Sequence, residues 1–157
     1  MPESVRPETV KLRDMERDVA LAEAQAVYIL ASEPGYRDDL AALLAAIDEG
    51  ELDSPDVTTL ERVLELALQT GRVRAIYGPG GEQAALRLYR RLPRGSELGA
   101  SAAAVTGALT ALVGRRLDSV RLEATGPGSF ALAFSLEGAD VSIRLDRQGA
   151  RLTSLAT

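Results

Sequence analysis

Residues 119–155 read SVRLEATGPGSFALAFSLEGADVSIRLDRQGARLTSL. Three runs in this stretch alternate apolar and polar side chains with a period of two. Val120, Leu122 and Ala124 alternate with Arg121, Glu123 and Thr125. Phe130, Leu132, Phe134 and Leu136 alternate with Ala131, Ala133 and Ser135. Val141, Ile143 and Leu145 alternate with Ser142, Arg144 and Asp146, and a weaker fourth run extends from Ala150 to Leu155. Successive residues of a strand point to opposite faces, so each run supplies one apolar and one polar face. The separators Gly126-Pro127-Gly128, Glu137-Gly138-Ala139 and Gln148-Gly149 have the length and chemistry of hairpin turns. The stretch predicts a four-stranded antiparallel meander, and its apolar face needs a cover.

The expected cover lies just upstream. Leu98 to Gly114 carries no charge for seventeen residues, too short and too weakly apolar a run to span a bilayer. Ser96 is placed to cap a helix reaching Val113. Leu98, Ala102, Val105, Leu109 and Leu112 form one stripe of that helix, and Gly99, Ala103, Gly107 and Ala111 a second stripe of small residues. Such a helix is expected to be buried on more than one side.

Further upstream the period is helical. Leu12, Met15, Val19, Ala22, Ala26 and Ile29 mark one seam of a first helix over residues 8–32. That seam suits either packing within the chain or a short coiled coil with a second copy. A second helix is expected over about residues 36–48, with Leu40, Leu43, Leu44 and Ile47 inward. Ser54-Pro55-Asp56 reads as a third helix start, with Ser54 as cap, and Gly71 as the residue that ends it. Arg72 to Tyr77 fits a short helix or a short strand. Gly78-Pro79-Gly80-Gly81 reads as a turn, Glu82 to Leu92 as a fourth helix, and Pro93-Arg94-Gly95 as its break. The fold class is therefore α+β: about five helices, then a β-meander packed on the last of them. The order of one helix and four antiparallel strands resembles the cystatin-like arrangement, a likeness of architecture that implies no function.

Charge divides the chain. Residues 1–70 hold 16 acids and 6 bases, or −10, and residues 71–157 hold 7 acids and 12 bases, or +5, which together give the net −5. The domain reading follows this division: an acidic helical region over 1–70, then an Arg-rich helix pair with the meander over 71–157, one continuous domain being the alternative. The opposed charges are expected to attract.

Composition removes much chemistry. The 157 residues include no His and no Cys, which excludes Ser-His triads, thiolate nucleophiles and His- or Cys-ligated zinc. The single Lys, Lys11, lies outside any Gly-rich loop, so no Walker phosphate loop is present. The acidic loop from Asp48 to Asp56 fails the calcium register, because its third and fifth positions are Gly50 and Leu52. Glu82 and Glu123 are the carboxylates considered for acid–base work, without partners set by spacing, and Ser129 lacks the second Gly of a nucleophile elbow.

One anion site is physically available. The Gly80 and Gly81 N–H groups open a helix, Arg72, Arg74, Arg87 and Arg91 flank it, and Tyr77 offers a ring or a hydroxyl. Six Arg and two Tyr within 71–94 also suit a nucleic-acid backbone, but the net −5 argues against that partner. The N-terminal residues carry no apolar signal-peptide core. The expectation is a cytoplasmic protein without cofactor or membrane partner, a non-catalytic interaction or assembly module that forms a homodimer. A binder of a small anionic ligand at the Gly78–Gly81 turn is the alternative, and a carboxylate enzyme ranks third.

Overall fold

The computed structural model of the chain describes residues 9–156. The chain divides into two compact units, Met1–Arg94 and Gly95–Thr157.

The first unit is helical. Strand β1 (Val10–Lys11) precedes α1 (Asp14–Leu30), α2 (Pro34–Glu49), β2 (Glu51–Leu52), α3 (Ser54–Gln69) and α4 (Arg72–Arg91). β1 and β2 pair antiparallel, Val10 opposite Leu52. The first helix therefore starts at Asp14 rather than at Glu8. Two-residue strands are too short to show a period, so this clip is invisible to pattern reading. The α3 cap is Asp53, one residue before the expected Ser54. Asp53 Oδ1 accepts the Asp56 N–H at 3.2 Å, and Asp56 Oδ2 accepts the Asp53 N–H at 3.4 Å. Burial, and then the neighbouring Asp53 side chain, hold the Asp56 carboxyl above the usual carboxylate range, against the opposing pull of the Asp53 N–H that it accepts. Gly71 follows α3 at φ +70°, as its place in the sequence suggested.

The core of this unit joins Val19, Ala20 and Ala24 of α1 to Leu40, Leu43 and Ile47 of α2, Leu60, Val63 and Leu64 of α3, and Val73, Ala85 and Leu88 of α4. The first helix thus packs within the chain, on α2, α3 and α4. Its buried stripe matches the expected seam only in part: Val19 is buried, and Leu12, Ala22 and Ala26 are half-buried. Met15 and Ile29 are exposed, while Glu16 and Glu23 are each 2 % exposed.

The expected break falls at Gly78 but is narrower than the turn Gly78–Gly81: α4 is two helical segments joined at a kink. It runs from Arg72 through Arg91, and only Gly78 leaves helical geometry, at φ 69° and ψ −170°. That backbone region is open essentially to glycine alone. Pro79 follows at the start of the next helical segment, where its fixed φ fits and its missing N–H costs nothing.

In the second unit, α5 (Pro93–Leu109) begins in the first unit's last residues and leads through a 3₁₀ turn (Thr110–Leu112) into β3 (Leu117–Gly126), β4 (Ser129–Leu136), β5 (Ala139–Asp146) and β6 (Gly149–Ala156). The helix starts at Pro93, not at Ser96, because Pro is well tolerated in a first turn. The sheet order is β3-β4-β5-β6, antiparallel throughout. The meander is the one expected, with each strand extended by one to three residues into its turns. Val105 and Leu112 pack on Ala139, Val141 and Ile143, so the last helix covers the sheet over β5. Ser101 Oγ also accepts the Ala150 N–H at 3.2 Å. The small stripe, Gly99, Ala103, Gly107 and Ala111, is exposed, contrary to the expectation of burial on two sides. Of the larger stripe, Val105 and Leu112 are buried, Leu98 and Leu109 half-buried and Ala102 exposed.

Candidate functional site

The Arg-rich segment of α4 is where the sequence placed its anion site. Its arginines meet the buried glutamates of α1. Arg72 Nε donates to Glu23 Oε2 at 3.0 Å, and the Tyr77 hydroxyl donates to Glu23 Oε1 at 2.9 Å. Arg91 Nη1 donates to Glu16 Oε2 at 2.7 Å, and Arg91 also donates to the Lys11 carbonyl. Arg74 lies 3.6 Å from Glu82. Arg87 is exposed and has no ion pair among the described residues. Two neighbouring contacts follow the same pattern: Arg94 pairs with Glu65, and the Tyr89 hydroxyl donates to Glu65 Oε1 at 2.7 Å. Much of the positive charge of residues 72–94 is thereby matched by carboxylates of residues 16–65 inside one unit.

The turn glycines are shaped by packing. Gly81 is buried, and a Cβ there would lie 2.2 Å from Tyr77 Cβ. Glycine is required because the Tyr77 side chain lies against that backbone while its hydroxyl reaches Glu23. Gly80 is exposed, with open space where a Cβ would stand. Arg91 lies twelve residues beyond Pro79, about 18 Å along a helix, so it does not converge with Gly80 and Gly81. The structure brings together Arg72, Tyr77 and Gly81 and turns the first two toward Glu23. It does not gather all seven named residues around one point.

Glu16 and Glu23 are the buried carboxylates that sequence reasoning missed. Their spacing of seven residues sets them on one helix face, the only available signal, and their charge argued for a wet face. Burial holds the Tyr77 proton on the phenol, pushing it up to about 12, and the bond to Glu23 adds to this. The Tyr89 phenol is raised in the same way, by burial and then Glu65. Glu16 Oε1 has no hydrogen-bond partner among the described residues.

The carboxylates considered for catalysis are dispersed. Glu82 faces Arg74, and the exposed Glu123 lies 3.3 Å from Arg121. No cluster of three acids able to hold a metal occurs among the described residues. Nor is any described helix long and apolar enough to cross a membrane.

The second unit presents an open sheet edge at β3. Every residue of β3 is exposed. Val120 is 56 % and Leu122 62 % exposed, and Phe130, opposite Ala124 in the register, is 42 % exposed. These side chains belong to the sheet's apolar face, the part that α5 leaves bare. On the polar face a depression of about 530 Å³ is floored by Ala133, Ser135 and Ser142 and edged by Arg121 and Asp140. Ser135 Oγ donates to Asp140 Oδ1 there at 2.6 Å. No family model, curated protein or solved structure matches the chain.

Proposed function

We propose that the protein is a non-catalytic assembly module that associates with itself through the sheet of its second unit. The carrying observation is the bare pair Val120 and Leu122 on β3, a strand exposed along its whole length, with the exposed Phe130 beside them on β4. Isolated exposed apolar residues are ordinary, but a contiguous strip along a sheet edge is a feature of contact surfaces. Burying it against a second strip removes apolar area from water at about 25 cal/mol per Å². Light scattering over a micromolar concentration series tests this reading. The expected result is a dimer for the native chain and a monomer for Leu122→Asp with unchanged circular dichroism. A native chain that stays monomeric throughout the series overturns it.

A small anionic ligand at Gly80 and Gly81 has less behind it. Arg72 and Arg91 are already engaged by Glu23 and Glu16.

A further inference from the structure

β3 is a sheet edge that lacks several of the usual guards, its outward charges Arg121 and Glu123 being of opposite sign. Edge strands normally avoid pairing through an inward charge, a proline, a mid-strand bulge or short length. β3 is ten residues long. Its apolar face carries Val120, Leu122 and Ala124, with no charge among them, and no proline interrupts it. Its irregularities fall at its two ends, at Leu117/Ser119 and Ala124/Gly126, which leaves Ser119–Ala124 in unbroken register with β4. The opposite edge is different. β6 has a register shift in its middle. The residue there, Thr153, turns its hydroxyl back to the Ser142 carbonyl at 3.0 Å. Such a bulge bends a strand and spoils further pairing.

The charges on β3 select a partner. Arg121 and Glu123 share the polar face of the strand, 3.3 Å apart, with side chains 74 % and 60 % exposed. In an antiparallel pair formed by two copies about a two-fold axis at Leu122, Arg121 stands opposite Glu123 of the second copy, and the reverse. The four charges then alternate in sign around a square. On the other face Leu122 meets Leu122 and Val120 meets Ala124 of the second copy, so the bare apolar strips join. The adjacent registers are worse, and axes at Val120 or Ala124 lose the Arg121–Glu123 pairing across the strands. An axis at Arg121 sets Arg121 against Arg121, and an axis at Glu123 sets like carboxylates together, both unfavourable across a pair of strands. An axis between residues shifts the pairing by one and sets Leu122 beside charged side chains, because a one-residue slip exchanges the faces.

We infer that two copies join edge to edge through Val120–Ala124 of β3, antiparallel about Leu122, into a continuous eight-stranded sheet. This rests on the assembly reading above and names its surface and register. The Arg121–Glu123 contacts across the axis set the register, and the apolar contacts of Val120 and Leu122 supply the burial.

Charge reversal tests the register. Arg121→Glu and Glu123→Arg each turn two attractions across the axis into two repulsions. Each is expected to weaken dimerisation by about tenfold, and the double variant Arg121→Glu/Glu123→Arg to restore it to within about threefold. Amide exchange at Val120–Ala124 is expected to slow as protein concentration rises. The two positions are exposed, so the variants keep the fold, which circular dichroism verifies. A native dimer unaffected by either single reversal, or one that the double variant fails to restore, overturns the register and leaves the assembly reading standing. A native chain that is monomeric overturns both.

Discussion

Glu23 accepts from Arg72 and Tyr77 while almost wholly shielded from water, and Glu16 accepts from Arg91 and from the Arg13 N–H at 3.3 Å. A buried carboxylate stripped of its partner keeps its desolvation penalty, so truncating the arginine costs more than the pair contributes. The two sites differ in reserve. Without Arg72, Glu23 still holds the Tyr77 hydroxyl; without Arg91, Glu16 keeps one long backbone contact. Arg91→Ala is expected to lower unfolding free energy by about 2–3 kcal/mol and Arg72→Ala by about 1–2 kcal/mol, as read from urea denaturation. Equal costs would mean that Tyr77 adds nothing. Tyr77 also sets an alkaline limit. Its phenol titrates near 10 when free and near 12 in the fold, raised by burial and then by Glu23. The folded state holds the proton more tightly, so this contribution is complete below pH 10 and is lost as pH rises from 10 through 12. Tyr77→Phe is expected to flatten that limb of the stability profile. An unchanged slope would remove Tyr77 as its cause, with Tyr89 next to test.

Among the elements, α4 shows how one residue changes a reading. Two glycines after a Gly-Pro pair look like a loop, yet the helix resumes at once, because Pro79 is suited to a first turn and Gly78 absorbs the whole change of direction. Arg72 and Arg91 lie on either side of the Gly78 kink and bind glutamates only seven residues apart on α1. Gly78→Ala is expected to cost about 1–3 kcal/mol, the range for a residue held in a sparsely populated backbone region. A Pro79→Ala control in the same denaturation series is expected to change little, and a cost for Gly78→Ala as small as the control's would locate the bend elsewhere. Prolines recur at helix starts: Pro34, Pro55 and Pro93 occupy first turns as Pro79 does. The strands were legible for a different reason. A period of two repeated in Val120–Thr125, Phe130–Leu136 and Val141–Asp146 between glycine turns leaves little room for another structure. The β1–β2 clip was not legible, since two residues have no period.

Over the whole molecule, segregated charge has a definite outcome. The acids of the first seventy residues and the arginines just after them meet within the first unit, through Glu16, Glu23 and Glu65. Self-association adds a further expectation. A dimer links unfolding to concentration by mass action, so the melting temperature of the native chain is expected to rise with protein concentration, and that of Leu122→Asp to stay constant. A constant native value would count against assembly. The sequence by itself determined the order of the helices, the four strands and their turns, and which sheet face is apolar, because those follow from local periods and from backbone freedom at Gly and Pro. It also excluded His and Cys chemistry outright. Only the tertiary structure decided that two glutamates belong inside, that Arg72 and Arg91 are held by them, and that α5 covers β5 while β3 stays bare. Those outcomes depend on which surfaces meet across long stretches of chain, and a one-dimensional pattern carries hydropathy and spacing but not the partner that makes a buried charge tolerable.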